Sequence, residues 1–435
     1  MKFPGRRKTK HYFPVSEKDP LVRPANVHLA LENSYIVGIA QVMVDIEATV
    51  SREFIESFGL TLGESLLLEN ETAEQLSKAL SELPEQVRCF AGGTIANTIH
   101  NYSVLADGPS YLLGTMSGDI QVGSFAYQYL CHTSSRVNLQ HLQPVDGSIG
   151  RCFTLISEDG QRTFGISKGK MNYLDAACVP QSLINKSCAL VISSYLVRTS
   201  GDESIMQATM QAIEYARQAQ VPVVLTLGTQ HLIAQEPDWW RQFIIDYVDI
   251  LAMNEDEAWA LTGNKAPLGA INDALEYCDL VLCTAGAEGL YMGGFCDIES
   301  LRQTRHPLRS SRDIGEFNYY EFSRAMRRGD CQEPTKIYSH ISPYMGGPYQ
   351  IRNTNGAGDG ALSAVLHDIV ANRYHCLTVP NSAKHSRPFL TYSSLAQICK
   401  YANRVSYEVL MQSSPRLSHS LPEREDSLEE GYWEN

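Results

Sequence analysis

Apolar residues along this chain fall into two kinds of stretch. Residues 35–40, 190–196, 221–227, 249–253 and 280–284 are short and almost unbroken, and each ends in a polar or glycine-rich loop. Strands buried on both faces have this pattern. A second short run, 41–46, follows the first directly. Other apolar residues recur at helical spacing: Leu76, Leu80 and Leu83 within 71–83, and Ile205, Met206, Met210 and Ile213 within 204–218. Residues 94–103 read as a further helix behind a Gly-Gly turn. This succession predicts an α/β domain with a mostly parallel sheet covered by helices. Residues 104–156 break the pattern. Their short alternating stretches at 111–113 and 153–156 predict antiparallel strands of a small lid.

The 435 residues suffice for a large core without covalent staples. Lys and Arg number 36 against 49 Asp and Glu, a net charge of −13, which argues against a general nucleic-acid binder. The 11 cysteines contain no C-x-x-C and fit free thiols in a reducing compartment better than a disulfide framework. Without a membrane-length apolar run or a secretory h-region, the chain reads as soluble and cytoplasmic, with no membrane partner. Five basic residues from Lys2 to Lys10 and six acidic ones after Leu421 read as solvated ends.

In such sheets ligands collect beyond the carboxyl ends of the strands. The strongest signal there is Asn353-Thr354-Asn355-Gly356-Ala357-Gly358-Asp359-Gly360, running into a small and apolar stretch. Two glycines one residue apart allow a tight turn, and the N–H groups at a following helix start form an anion cradle. Asp359 at its mouth can accept a proton from an attacking hydroxyl, or simply cap the helix. Asn254 and Glu257 follow the strand at 249–253. They suit magnesium, or equally a capping box. Thr284, Gly286 and Gly289 follow the next strand. Asp45, and Asn97 behind Gly92-Gly93, supply the acceptors and donors that a sugar diol needs, or serve as a turn residue and a helix-start amide. The chain has no Walker A loop; the nearest approach, Gly165 to Met171, lacks Ser or Thr after its lysine.

The ordered set G-x6-D, G-G-x3-N, N-x-x-E, T-x-G-x-x-G and G-A-G-D resembles the ribokinase-like (PfkB-type) carbohydrate and nucleoside kinases, from about residue 35 to residue 422. Basic residues ending in K-H-Y-F-P, A-G-G-T-I-A-N-T and N-T-N-G-A-G-D-G are similar to the bacterial branch that phosphorylates the 5′-hydroxyl of inosine and guanosine with ATP in purine salvage. The resemblance implies a three-layer α/β fold with a central, mostly parallel sheet and a small β-rich lid. It divides the chain into an extension (1–30), a kinase domain (31–422) with lid elements near 41–60 and 104–170 and an inserted segment at about 290–345, and an acidic tail (423–435). It makes Asp359 the base, and Gly356, Ala357 and Gly358 the anion hole. Asp45, Gly92, Gly93 and Asn97 would hold the ribose. Asn254, Thr284, Gly286, Gly289 and Asn403 would line the ATP side, with Glu257 reaching Mg2+ through water. Gly114, Gly118 and Asp119 match a family loop near the sugar. Phe164 or Tyr173 can stack on the base, or pack in the core or lid. Other substrates the resemblance leaves open are adenosine and a free sugar; a non-catalytic nucleotide-binding protein and a homo-oligomer also stay open.

Three departures from the family pattern stand out. Asn353 and Asn355 replace the usual Asp and Thr beside the anion hole, which leaves potassium dependence open. The stretch from Gly289 to Asn353 is long and holds Arg302, Arg305, Arg309, Arg312, Arg324, Arg327 and Arg328. It reads as a surface excursion or oligomer contact, or as a cover over ATP or the base. Thr226-Leu227-Gly228-Thr229 lacks an acid common in sugar kinases, which favours a nucleoside.

Overall fold

The computed structural model describes residues 30–83, 87–106, 108–198, 203–303, 319–344 and 351–421. The basic N-terminal residues, the acidic tail, and Arg305, Arg309 and Arg312 lie outside the described residues.

The strand Ile36–Ile39 is buried along its whole length. It pairs in parallel with Ala189–Ser193 on one side and Ser110–Ser117 on the other. From Ala189–Ser193 the sheet continues in parallel through Val223–Thr226, Ile250–Asn254 and Leu280–Thr284. Leu290–Asp297 and Pro334–Ile341 then close that side antiparallel. Successive side chains point to opposite faces. Ile36, Val191, Val224, Ile250 and Leu280 join one core with the helices Thr94–Leu105, Ala357–Thr378 and Leu395–Leu410. Val37, Leu190, Val223, Leu251 and Val281 join a second with the helices Ile205–Gln218, Pro237–Tyr247, Glu255–Thr262 and Pro267–Ala274. Helices cover both faces, which gives the three layers. Among the described residues no helix is long and apolar enough to cross a membrane.

A second, five-stranded sheet has the order Ser65–Leu67, Arg162–Ser167, Gly150–Ile156, Met43–Thr49 and Val87–Gly92. Burial along Met43–Thr49 alternates. Val44, Ile46 and Ala48 pack with Ile55, Leu76 and Leu80 of the helices Arg52–Ser57 and Asn70–Ser81. The opposite face carries Met43, Asp45, Cys152, Thr154, Phe164 and Ile166 into the main cleft. This sheet is the lid.

Two sequence expectations need correction. Residues 110–117 do not belong to the lid; they form a parallel strand of the main sheet. The burial is nearly continuous there, and the short Tyr111–Leu113 stretch resembled an alternation only because the flanking Gly114, Thr115 and Ser117 are small or polar. The segment 290–345 is also more than a surface excursion. Leu290–Asp297 is buried throughout, and Met326, fully buried, bridges Phe295 and Phe389. Arg324 is itself buried, donating to the carbonyls of Thr391 and Lys384. Its many arginines hid this apolar content.

Candidate active site

The helix Ala357–Thr378 begins at Gly356, whose φ of 82° is left-handed. A Cβ on Gly356 would meet Pro415 at 2.6 Å, so both the backbone and the space demand glycine. No side chain caps this helix, and the space beside Gly358 is open. Its first N–H groups are therefore left for a ligand. Asp359, in the first turn, accepts a hydrogen bond from Asn97 Nδ2 at 3.3 Å. Asn97 lies in the first turn of the helix Thr94–Leu105, which starts from left-handed Gly93. A Cβ on Gly92 would strike the Asp45 carboxylate at 2.4 Å, so Gly92 makes room for that acid.

Across the cleft, the strand Ile250–Asn254 runs into the helix Glu255–Thr262. The capping box foreseen for Asn254 and Glu257 is formed: Asn254 Oδ1 accepts from Glu257 N at 2.8 Å, and Glu257 Oε2 accepts from Asn254 N at 3.0 Å. Glu257 is only 4% exposed, yet it stands on the cleft wall. Asn254 pairs in register with Thr284, so both strand ends open at one place. Gly289, at φ 100°, passes so close to Ile341 O that no Cβ fits. Asn403 donates to Ser342 O at 2.8 Å.

One cleft of about 1620 Å³ is lined by Asp45, Gly93, Asn97, Asn254, Glu257, Thr284, Gly286, Gly289, Asn403 and the whole turn Gly356–Asp359. Single-ligand pockets are roughly 300–1,000 Å³, so this volume suits two ligands placed end to end. Gly92 lies just behind the wall, against Asp45. Gly114, Gly118 and Asp119 are not on it. Gly114 instead allows close packing against Ala40 O, and Asp119 is exposed and accepts from Gln121. Phe164 reaches the wall. Tyr173 does not, its ring lying under the Lys170 ammonium at 4.2 Å.

Three carboxylates gather here, and each is pushed towards its neutral form. Burial raises Asp359 to about 7, opposed by the Asn97 hydrogen bond and reinforced by Asp45 and Glu257. Burial raises Asp45 to about 6, opposed by Arg416. Burial raises Glu257 to about 7, opposed by the Asn254 N–H and reinforced by Asp256 and Glu255. Such a cluster favours an incoming cation or proton.

Arg416 was missed in the sequence. It is 3% exposed. Its Nε donates to Asn97 Oδ1 at 2.9 Å, Nη2 to Gly92 O at 3.1 Å, and Nη1 to Thr133 Oγ1 at 2.9 Å. The guanidinium also lies over the Tyr129 ring. Neighbouring His100, held neutral near a pKa of about 3 by burial and then by Arg416, adds no charge. The segment around Arg416 is pinned by Asn101, which donates to Pro415 O and accepts from Leu417 N. Nothing local in Ser413-Ser414-Pro415-Arg416-Leu417 announces this role, since its partners lie some three hundred residues earlier.

Among the described residues no group of three or more His, Cys, Asp or Glu side chains is arranged to hold a metal by itself. The buried, acid-crowded Glu257 does suit magnesium held mainly by phosphates and water. The potassium alternative fits less well. Asn353 Nδ2 donates to Ser413 O at 2.9 Å and its Oδ1 accepts from Asn355 N at 2.9 Å, so an amide donor faces that carbonyl where a carboxylate was expected.

A family model for the pfkB family carbohydrate kinases matches residues 53–297, more than half of the chain. The chain belongs to this kinase family. It is 60% identical to the guanosine-inosine kinase of Escherichia coli (strain K12) over 434 residues, covering 100% of both chains. Among solved structures it resembles the adenosine kinase from Sinorhizobium meliloti, with a TM-score of 0.63, 20% identity, and coverage of 89% of this chain and 97% of the other. A probable sugar kinase from Rhizobium etli CFN 42 gives a TM-score of 0.63 at 17% identity, covering 90% of this chain and 97% of the other. At these identities the two structures speak for the kinase fold alone.

Proposed function

We propose that this kinase transfers the γ-phosphoryl group of ATP to the 5′-hydroxyl of guanosine and inosine, in purine nucleoside salvage. The 60% identity with the Escherichia coli guanosine-inosine kinase across the whole of both chains supports the substrate class. The observation that carries the chemistry is the Asn97–Asp359 hydrogen bond of 3.3 Å, which joins the sugar-side helix to the glycine turn within one cleft.

In this reading Asp45 and Asn97 hold the ribose hydroxyls, with Gly92 and Gly93 shaping the turn. Asp359 accepts the 5′-hydroxyl proton as that oxygen attacks the γ-phosphorus. The N–H groups of Gly356, Ala357 and Gly358 meet the charge that grows on the phosphoryl oxygens. Thr284, Gly286, Gly289 and Asn403 flank ATP, and Asn254 orders Glu257. When bound, magnesium neutralises phosphate charge, and Glu257 would hold it through water. No step is assigned to potassium. The lid face bearing Met43, Thr154 and Phe164 excludes water from the transfer. The site is read as cytoplasmic.

The test is a panel of inosine, guanosine, adenosine and ribose, each with ATP and magnesium, followed by product formation. Guanosine and inosine should yield 5′-monophosphates fastest. Preferred turnover of adenosine or ribose would overturn the assignment.

A further inference from the structure

Guanosine and inosine differ at the 2-amino group and share one polar edge: the N1–H donor beside the O6 acceptor. Adenosine inverts both, with N6–H donors in place of O6 and a bare N1 lone pair. A site that accepts the first two and rejects adenosine can do so by reading the shared pair, whose complement is an acceptor next to a donor.

The cleft wall carries such a complement. Lys168, just after the lid strand Arg162–Ser167, places Nζ 2.9 Å from Glu203 Oε1. The Glu203 side chain is 11% exposed, and its Oε2 is buried with no hydrogen-bond partner among the described residues. A carboxylate oxygen left without a donor is costly, so it points to a donor that arrives with a ligand. Lys168 is 35% exposed, free enough to adjust. The other cation on this wall, Arg198, is engaged with Glu236 and stacks on Trp239.

The pair sits on the nucleoside side of the cleft. Glu203 leads into the helix Ile205–Gln218, whose Ile205 N donates to Asn172 O at 2.9 Å. Asn172 Oδ1 accepts from Gln41 Nε2 at 2.6 Å. Gln41 O in turn packs against Gly93, beside the groups assigned to ribose. Phe164, on the lid strand that leads into Lys168, offers an aromatic face on that wall.

We propose that Glu203 and Lys168 select 6-oxopurine nucleosides, Glu203 Oε2 accepting N1–H and the Lys168 ammonium donating to O6. This rests on the guanosine and inosine reading above. Adenosine then meets a donor facing donors and an acceptor facing a lone pair, the arrangement that gives strong rejection.

The experiment uses the full-length enzyme and its Glu203→Gln, Glu203→Ala and Lys168→Met variants, with ATP and magnesium. kcat/KM is measured for inosine, 1-methylinosine, which lacks N1–H, purine riboside, which lacks both O6 and N1–H, and adenosine. The native enzyme should prefer inosine over 1-methylinosine by at least about 10-fold, the worth of one charged hydrogen bond. In Glu203→Ala that ratio should collapse to within about 3-fold. In Lys168→Met the inosine to purine riboside ratio should fall by about 10-fold, leaving the preference that Glu203 gives to N1–H, and Glu203→Gln should narrow the gap to adenosine. Because each readout is a ratio within one variant, partial loss of folded protein does not move it. Unchanged ratios in both Glu203 variants and in Lys168→Met, with inosine still turned over, would refute the pair and leave the guanosine–inosine assignment standing. No turnover of inosine or guanosine by the native enzyme would overturn both.

Discussion

Replacing Asp359 by Asn keeps the shape of the side chain and removes its charge, and two opposite effects follow. Turnover loses its base, a loss of about 10²–10⁴-fold. The fold, however, is relieved of a carboxylate it holds against its preference. Burial lifts Asp359 from 3.8 to about 7, with Asp45 and Glu257 adding to the rise against Asn97 and Arg416. A raised folded pKa means that the folded chain binds this proton more tightly than the unfolded chain does. The group therefore costs nothing below its unfolded pKa, and stability falls as pH rises from 3.8 to about 7. A gap of roughly three pH units corresponds to about 4 kcal/mol. The side chain is only partly buried and faces the cleft. Water there screens the charge, so about 1–2 kcal/mol is the expected gain for Asp359→Asn at pH 8. For a chain of this length that is about 1–5 °C in Tm, shrinking by about half at pH 5.5. Turnover with guanosine and ATP, guanosine affinity by calorimetry, and melting at the two pH values measure all three quantities. Affinity should hold while turnover collapses. Turnover within about 10-fold of native would remove Asp359 from the base role. A variant no more stable at pH 8 than at pH 5.5, relative to native, would refute the electrostatic argument.

Arg416→Gln leaves Gly92 O and Asn97 Oδ1 without their donor and removes the cation that opposes the rise at Asp359 and Asp45. The acid limb of kcat/KM, expected near pH 7 in the native enzyme, should move to higher pH, and Arg416→Lys should restore part of the shift; an unmoved limb in a folded variant contradicts this. Gly356→Ala forces a side chain into left-handed backbone against Pro415, so about 2–3 kcal/mol of stability should be lost together with turnover. Native-like urea unfolding and activity would show that the turn tolerates a Cβ. Asp45→Ala removes an acceptor for a sugar hydroxyl, and the guanosine KM should rise by about 10-fold or more while the ATP KM stays put; unchanged guanosine affinity would free Asp45 from that role.

The parts of the molecule legible in the sequence are those fixed by local backbone demands. The strand runs at 223–226, 250–254 and 280–284 are apolar because both faces are covered, and that leaves a mark whatever the partner. The glycine turn before Asp359 is legible because left-handed φ and a helix start impose residue types over a few positions. The lid was only half legible. The alternating stretch 153–156 marks the lid strand Gly150–Ile156, whereas 41–46 reads as a plain apolar run although burial along Met43–Thr49 alternates, and Val87–Gly92 is set by pairing across the chain. The arginines of 290–345 misled because Arg324 is buried through carbonyls that no local pattern reveals.

The charge balance of the cleft was the least legible part, and Asn97 explains why. Its amide donates to Asp359 and its carbonyl oxygen accepts from Arg416. Arg416 can only donate, and this fixes which way the Asn97 amide faces. The sugar-side helix thus carries a neutral spacer between an acid in the helix Ala357–Thr378 and a cation beyond the helix Leu395–Leu410. Each member alone has an ordinary explanation: a helix-start amide, a first-turn acid, a surface arginine. Only the tertiary fold makes them one unit, in which Arg416 opposes the rise of the Asp359 carboxyl to about 7. A carboxyl held near that value suits the base role proposed for Asp359, since a base must both hold and release its proton near the working pH.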